Sequence, residues 1–75
     1  MDNMTVAHIL KRRRLELQAS QVFLAKSAHV CPNTVVHCEN GTHIPAIPQL
    51  LRMVEALRLE IHFVCIDTGE RIQDA

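Results

Sequence analysis

One short helix with its own start and stop signals is encoded in residues 27–41, SAHVCPNTVVHCENG. Pro32 suits the first residue of this helix, because the N–H that proline lacks has no helical partner in a first turn. The pair Asn40-Gly41 predicts the end of the helix, since glycine readily takes the left-handed conformation that closes helices. Val35 and Cys38 share one face at helical spacing and are expected to point into a core.

The opposite face of the same helix carries Asn33, Val36 and His37. A helix of about two turns does not need this outer face for packing once its inner face is buried. The outer face is therefore held out rigidly, free to contact something else. The plain alternative is a solvated helix face with one stray valine.

Length and composition predict one small and mainly helical domain. The 75 residues are 48% apolar, and Phe23 and Phe63 are the only aromatic residues of the Phe, Tyr and Trp types. The core must then be built from aliphatic side chains and methionine, which favours helices. So short a chain leaves no room for a cleft lined by an acid/base pair, so we expect no enzyme activity and no cofactor.

The sequence carries no signal for export or membrane insertion. No apolar run approaches the length of a membrane span, and residues 1–3 lack the basic-then-apolar order of a signal peptide. The three cysteines form an odd set, which does not indicate a disulfide framework. We expect a protein of the reducing cytoplasm with no membrane contact.

The net charge is zero, but the two halves of the chain differ in sign. Residues 1–43 contain five Lys and Arg against three acids, whereas residues 44–75 contain three Arg against five acids. The neutral total argues against strong non-specific attraction to nucleic acid. The basic half is the front half, which holds the helix described above.

The segment Thr5–Gln18 predicts an amphipathic first helix with Thr5 as its N-cap. Its apolar residues recur at helical spacing: Val6, Ile9, Leu10 and Leu17. Arg13 and Arg14 interrupt this stripe, so one guanidinium group must approach the core, where it needs a carboxylate partner. Glu39 is the best candidate for that partner.

Three further elements complete the prediction. Ser20 is a natural N-cap for a second helix, Gln21–Ser27. A fourth helix of about 47–58 has Pro48 in its first turn, where proline is allowed. Its periodic pattern is the strongest of the chain: Ile47, Leu50, Leu51, Val54 and Leu57. The segment 60–66 is β-branched and apolar on both faces, which predicts a strand.

This strand needs a partner, because a lone strand cannot satisfy its backbone hydrogen bonds. It could fold back through 67–70 onto 71–73, but a two-stranded hairpin is marginal alone, so pairing with the same strand of a second copy is favoured. The simplest interpretation of Cys65 is a buried small hydrophobe. The predicted dimer interface has five residues: Ile61, Phe63, Val64, Cys65 and Ile66.

These parts in this order resemble the lambda-repressor/Cro (XRE-type) helix-turn-helix family over residues 6–59. The resemblance rests on residues that fall together at the family's spacing: Arg14, Ser20-Gln21, Leu24-Ala25-Lys26, Val30, Pro32-Asn33-Thr34-Val35, Glu39-Asn40-Gly41, Pro45, Leu50-Leu51 and Glu55-Ala56-Leu57. It implies a mainly α fold of four to five helices. Residues 1–59 would be the DNA-binding part, and residues 60–75 a dimerisation strand and tail of the same domain.

The same resemblance implies a homodimeric repressor of transcription that binds double-stranded DNA sequence-specifically at a palindromic operator. Recognition helix 32–39 would enter the major groove, with four residues facing the bases: Pro32, Asn33, Val36 and His37. Contacts to phosphates are expected from six further residues: Gln21, Lys26, Arg12, Arg13, Asn40 and Thr42.

Two more features of the family bear on the interior and on the backbone. In the family, the arginine that matches Arg14 pairs with the glutamate that matches Glu39, as the burial argument independently suggests. His29 stands where the family usually has a glycine in the left-handed conformation. Histidine can adopt that conformation at a cost on the order of 1 kcal/mol.

A second class of function stays open beside the repressor. The apolar run 61–66 after Glu55-Ala56-Leu57 resembles the C-terminal strand of HipB-like antitoxins, a branch of the same family in which the repressor also holds a toxin protein. The alternative is therefore an antitoxin or another protein-interaction module with weak or no DNA binding. An exposed Phe23 would mark its protein contact.

A zinc site near the recognition helix is disfavoured. Five potential ligands lie within fifteen residues: His29, Cys31, His37, Cys38 and His43. Neighbours such as His37 and Cys38 point about 100° apart on a helix, and the chain has no Cys-x-x-Cys pair. We therefore expect no metal.

Overall fold

The computed structural model describes residues 3–73, which form four helices followed by a small β-hairpin. The elements are α1 Asn3–Glu16, α2 Gln21–Ala28, α3 Pro32–Glu39, α4 Ile47–Ala56, β1 Phe63–Val64 and β2 Arg71–Ile72. The mainly α architecture predicted from the sequence is confirmed. Of the predicted tail 60–75, residues 74–75 lie outside the described residues.

The cap residues of α2 and α3 act as the sequence predicts. The Ser20 hydroxyl accepts a hydrogen bond from the backbone N–H of Phe23 at 3.0 Å. Pro32 begins α3, which ends at Glu39, immediately before the pair Asn40-Gly41. Gly41 has a φ of 73°, a backbone conformation that favours glycine. The length of α3 is thus set by local signals at both of its ends.

The predicted start of α1 is wrong. The helix already includes Asn3, so Thr5 lies inside it and is not its N-cap. It ends at Glu16, because Gln18 adopts a left-handed φ of 57° that helical geometry excludes. Leu17 therefore falls in the turn after the helix.

The hydrophobic core fills the space between the four helices. α1 and α2 both pack on α3, and α4 packs on α2. The largest fully buried side chains come from α2, α3, α4 and the residue after α4: Leu24, Val35, Cys38, Met53 and Leu57. The predicted inward direction of Val35 and Cys38 is confirmed.

Two apolar stripes differ from their predictions. On α1 the buried residues are Ala7, Leu10 and Arg14, whereas Ile9 and Leu17 are exposed. The small residue Ala7 thus takes a core position that the sequence assigns to larger side chains.

On α4 the buried residues are Met53 and Val54, continued by Leu57, whereas Ile47 and Leu51 are exposed. On both helices the buried face is thus shifted from the one that hydrophobicity predicts. The exposed pair on α4 leaves apolar surface without a partner in the described part of the chain.

Three turns contain residues other than glycine in the left-handed conformation. Gln18, His29 and Arg58 have φ values of 57°, 57° and 61°. The prediction for His29 is confirmed: this residue ends α2, and its backbone N–H donates to the carbonyl of Lys26 at 3.3 Å. Arg52 of α4 supports the same turn, because its Nε donates to the carbonyl of Ala28 at 3.0 Å.

We expect His29→Gly to raise the free energy of unfolding by about 1 kcal/mol, because glycine takes the left-handed conformation without the clash of a Cβ atom. Urea unfolding followed by circular dichroism measures this change. Ser27→Gly, an exposed position inside α2, is the matched control and should destabilise the protein instead. A loss of stability in His29→Gly as large as in the control would contradict the interpretation of the turn.

The C-terminal segment pairs within the chain. β1 and β2 are antiparallel, with Phe63 opposite Ile72 and Val64 opposite Arg71. The sequence favours one strand over 60–66 that pairs with a second copy, and this hairpin is the alternative. The observed strands are shorter because a tight turn begins at Cys65, directly after β1. In this turn the N–H of Gly69 donates to the carbonyl of Cys65 at 2.7 Å.

Cys65 is half-buried in this turn, so the prediction of a buried hydrophobe is wrong. Hydrogen bonds from the Thr68 side chain and from the backbone at Thr68 and Asp67 lower the pKa of its thiol. All four strand residues are exposed, and the sheet consists of these two strands alone within residues 3–73. No helix within residues 3–73 is long and apolar enough to cross a membrane.

Candidate nucleic-acid interface

α3 presents one face to the core and one to solvent. Val35 and Cys38 of the inner face are buried. On the outer face Pro32, Asn33 and His37 are exposed. The fourth predicted base-contacting residue, Val36, is half-buried at the edge of this face. The structure thus places all four residues where a ligand can reach at least part of each side chain.

A buried ion pair ties the end of α3 to α1. Nε of Arg14 lies 2.6 Å from Oε2 of Glu39, and Nη2 of Arg14 lies 2.8 Å from Oε1. The side chains are 9% and 2% exposed, respectively. Nη1 of Arg14 donates to the carbonyl of Ala19 at 2.7 Å, so the guanidinium also holds the turn between α1 and α2. The ion pair predicted between Arg14 and Glu39 is present.

Both members of the pair are charged at neutral pH. Burial raises the pKa of Glu39, but hydrogen bonds from Arg14 and Gln21 and the positive charges of Arg14 and Lys11 outweigh it and lower that pKa below its ordinary value. The hydrogen bond to Glu39 raises the pKa of Arg14 despite burial. A bidentate contact between charged groups is stronger and more directional than a neutral hydrogen bond. It fixes α3 against α1 with little freedom to rotate.

The predicted phosphate-contacting residues differ in exposure and in whether their side chains are bonded within the protein. Lys26, Asn40 and Thr42 are exposed around α2 and α3. Arg12 is also exposed, and its guanidinium lies 3.5 Å from Glu16 in a surface pair, which is a weak interaction. These four residues have side chains that can turn toward a polyanion.

Arg13 and Gln21 have partners inside the protein. Nε of Arg13 donates to the carbonyl of Leu57 at 3.0 Å, which supports the end of α4. The side-chain amide of Gln21 donates to Oε1 of Glu39 at 3.1 Å. The Arg13 side chain thus caps the C-terminus of α4. The Gln21 side chain is hydrogen-bonded to the buried Arg14–Glu39 pair.

Lys11 lies near this site but is not among the residues predicted from the sequence. This residue is exposed, and its charge lies close enough to Glu39 to lower the pKa of that carboxyl. Lys11 therefore lies on the side of α1 that faces the end of α3. A signal was present in the sequence, because Lys11 precedes Arg14 by three residues and so shares its helix face.

Within residues 3–73 no group of three or more His, Cys, Asp or Glu side chains could hold a metal ion. The histidines and cysteines around α3 are divided between its two faces, with Cys38 buried and His37 exposed. Nothing in this region provides a converging donor set.

Two packed helices joined by a short turn, the second presented outward by a buried arginine–glutamate pair, define a lambda-repressor-like helix-turn-helix fold. A crystal structure of a tyrosine-to-phenylalanine mutant of the restriction-modification controller protein C.Esp1396I has the same fold. It superposes with a TM-score of 0.72 and 21% sequence identity over 80% of this chain and 80% of that chain. No family model matches the sequence, and no curated protein matches it either.

Proposed function

We propose that the protein is a sequence-specific DNA-binding repressor of transcription that acts as a homodimer in the cytoplasm. One observation carries the proposal: the exposed residues Asn33 and His37 are presented by a helix whose orientation is fixed by the buried pair of Arg14 and Glu39. The similarity in fold to a restriction-modification controller protein supports it. A rigid outer face with hydrogen-bonding side chains suits the major groove.

The chemistry of this face suits base edges. The Asn33 amide offers one donor and one acceptor, which matches the N6 and N7 atoms of adenine. His37 can donate to an acceptor on a guanine edge, and the methyl groups of Val36 can lie against the methyl group of thymine. Pro32, at the start of the helix, would approach the same edges.

Phosphates are the proposed partners of the cations and polar groups around α3. Lys26, Arg12 and Lys11 would neutralise phosphate charge, and Asn40 and Thr42 would donate hydrogen bonds. The net charge of the whole protein is zero, so this local arrangement must supply the attraction. Affinity should therefore fall as salt rises, because each neutralised phosphate releases counterions.

A second copy of the chain is the proposed partner of the exposed apolar tail. Phe63 is 75% exposed and Ile66 is 96% exposed, and Ile61, Val64 and Ile72 add apolar surface nearby. Hydrogen bonding along the open edge of the hairpin would extend its two strands across a dimer. Such a dimer would bind a palindrome with half-sites about 34 Å apart, one turn of DNA.

The test of the proposed function is selection from a random double-stranded DNA library with the purified protein, followed by a salt titration on the enriched sequence. An enriched palindrome bound with steep salt dependence is the expected result. If nothing is enriched at low salt, the proposal of a DNA-binding repressor is wrong.

Deletion of residues 61–75 is expected to convert the dimer into a monomer, because it removes the exposed apolar tail. The helices should stay folded, since both strands are exposed and contribute nothing to the core of buried residues. Light scattering coupled to size-exclusion chromatography gives the mass, and circular dichroism checks the helices. A dimer that survives the deletion would move the interface to α4, where Ile47 and Leu51 are exposed.

The second candidate is a protein-interaction module such as an antitoxin that holds a toxin protein. Val22 and Phe23 favour it, because both lie on the outside of α2 and are 52% and 63% exposed. Adjacent exposed apolar residues are typical of protein contacts. Binding through them should hardly respond to salt, which separates this candidate from DNA binding.

A further inference from the structure

The first residue of α2 is bonded to the last residue of α3. Nε2 of Gln21 donates to Oε1 of Glu39 at 3.1 Å, and the Gln21 side chain is half-buried. The same oxygen accepts a hydrogen bond from Nη2 of Arg14 at 2.8 Å. The carboxylate at the end of the recognition helix is therefore held from two helices at once, α1 through Arg14 and α2 through Gln21.

Only the nitrogen of the Gln21 amide can face this carboxylate. Glu39 is ionised, because the hydrogen bonds from Arg14 and Gln21 outweigh its burial and lower its pKa. An ionised carboxylate accepts hydrogen bonds and donates none, so the amide oxygen cannot face it. A DNA phosphate is likewise only an acceptor, so it could take only the second N–H of the same nitrogen, on a side chain that is half-buried and already bonded to Glu39.

The contact lies where it controls the rotation of α3. Glu39 follows His37 by two residues and Asn33 by six, so at about 100° per residue it points away from both, into the protein. Holding its carboxylate fixes the helix about its own axis and thereby aims the outer face. Base readout needs side chains placed within about 0.5 Å, so a small rotation of α3 would disturb it.

We propose that Gln21 is a positioning residue for base readout, which sets the orientation of α3 on α2 through Glu39 and does not bind a phosphate. The inference rests on the proposed function and changes one part of it, the phosphate contact that the sequence resemblance implies for Gln21. The Arg14–Glu39 pair joins α3 to α1, in addition to the packing of these two helices. Gln21 adds the second tie, to the other helix of the helix-turn-helix unit.

The test compares Gln21→Ala with Lys26→Ala, an exposed cation on the same helix. Affinity is measured for the enriched operator and for a scrambled duplex of equal length at one salt concentration. Gln21→Ala should weaken operator binding about tenfold, the worth of one hydrogen bond to a charged group, and leave the scrambled duplex unchanged. Lys26→Ala should weaken both duplexes by the same factor.

Two further measurements separate positioning from general damage. Thermal unfolding should show Gln21→Ala fully folded at the temperature of the binding assay, because the Arg14–Glu39 pair remains. In the free protein, the backbone amide resonances of Asn33 and His37 should shift in Gln21→Ala and stay unchanged in Lys26→Ala.

The outcomes are distinct. Equal weakening of both duplexes by Gln21→Ala, or no weakening of either, would overturn the positioning of α3 by Gln21 and leave the repressor intact. If the unsubstituted protein binds no duplex at all, the proposed function fails and this inference fails with it.

Discussion

Arg14→Ala is expected to lower the free energy of unfolding by about 3–5 kcal/mol, the loss typical of leaving one member of a buried ion pair without its partner. Glu39 would stay buried, with the single remaining hydrogen bond from Gln21. The carbonyl of Ala19 would lose its donor as well. A domain of 75 residues has little stability to spare, so the variant should be largely unfolded near body temperature. Urea unfolding at low temperature measures the difference.

The effect of Arg14→Ala should depend on pH through Glu39. The folded-state pKa of Glu39 lies below its ordinary value of 4.5, so the pair stabilises the fold above that value. This stabilisation disappears as the pH falls through the lower, folded-state pKa. In the variant, burial without Arg14 raises the pKa of Glu39 instead. The difference between the two proteins should therefore be largest at neutral pH and shrink in acid.

Arg12→Ala is the matched control for this prediction. Arg12 also pairs with a glutamate, but its side chain is 83% exposed and its contact with Glu16 is 3.5 Å long. Removing such a surface pair should change stability very little. An Arg14→Ala variant that unfolds like the Arg12→Ala control at neutral pH would show that the buried pair does not stabilise the fold.

Asn33→Ala is expected to weaken operator binding by about 1–3 kcal/mol, because a bidentate amide contact favours the correct base over the others by that amount. The whole loss should appear as lost preference at one base pair. The measurement uses a set of operators, each with one base pair changed. The variant should bind them with equal affinity at the position that Asn33 contacts. Stability should be unaffected, since the Asn33 side chain is exposed.

Two controls accompany Asn33→Ala. His37→Ala removes a side chain of the same outer face and should relax preference at a different base pair. Lys26→Ala should keep every preference and weaken all operators alike. If Asn33→Ala weakens all operators by one common factor, Asn33 contacts the DNA backbone and the assignment to a base edge is wrong.

The Arg14–Glu39 pair shows how much of the protein interior can be predicted from the sequence. Two adjacent arginines in an apolar stripe already require a carboxylate, because a buried charge without a partner is too costly. The charge pattern leaves open which arginine turns inward, and the family resemblance points to Arg14. The structure separates them: Arg14 bonds Glu39, and Arg13 reaches the carbonyl of Leu57, 44 residues along the chain. That distance in sequence is bridged only by packing.

The local signals were sufficient by themselves for α2, α3 and the turn between them. Caps, a proline at a helix start and an Asn-Gly stop act within a few residues, so Ser20, Pro32 and Gly41 mark where these elements begin and end. The outer face of α3 follows from the same signals. The sequence therefore determined the bounds of α3 and its exposed residues.

Only the tertiary structure decided which faces of α1 and α4 are buried and what Gln21, Arg13 and Lys11 contact. Ala7 and Met53 lie inside, while the more hydrophobic Ile9 and Leu51 lie outside. The physical reason is that burial depends on the angle at which helices cross, and that angle is set by close packing of the whole core. Gln21 meets Glu39 because α2 and α3 pack at one such angle.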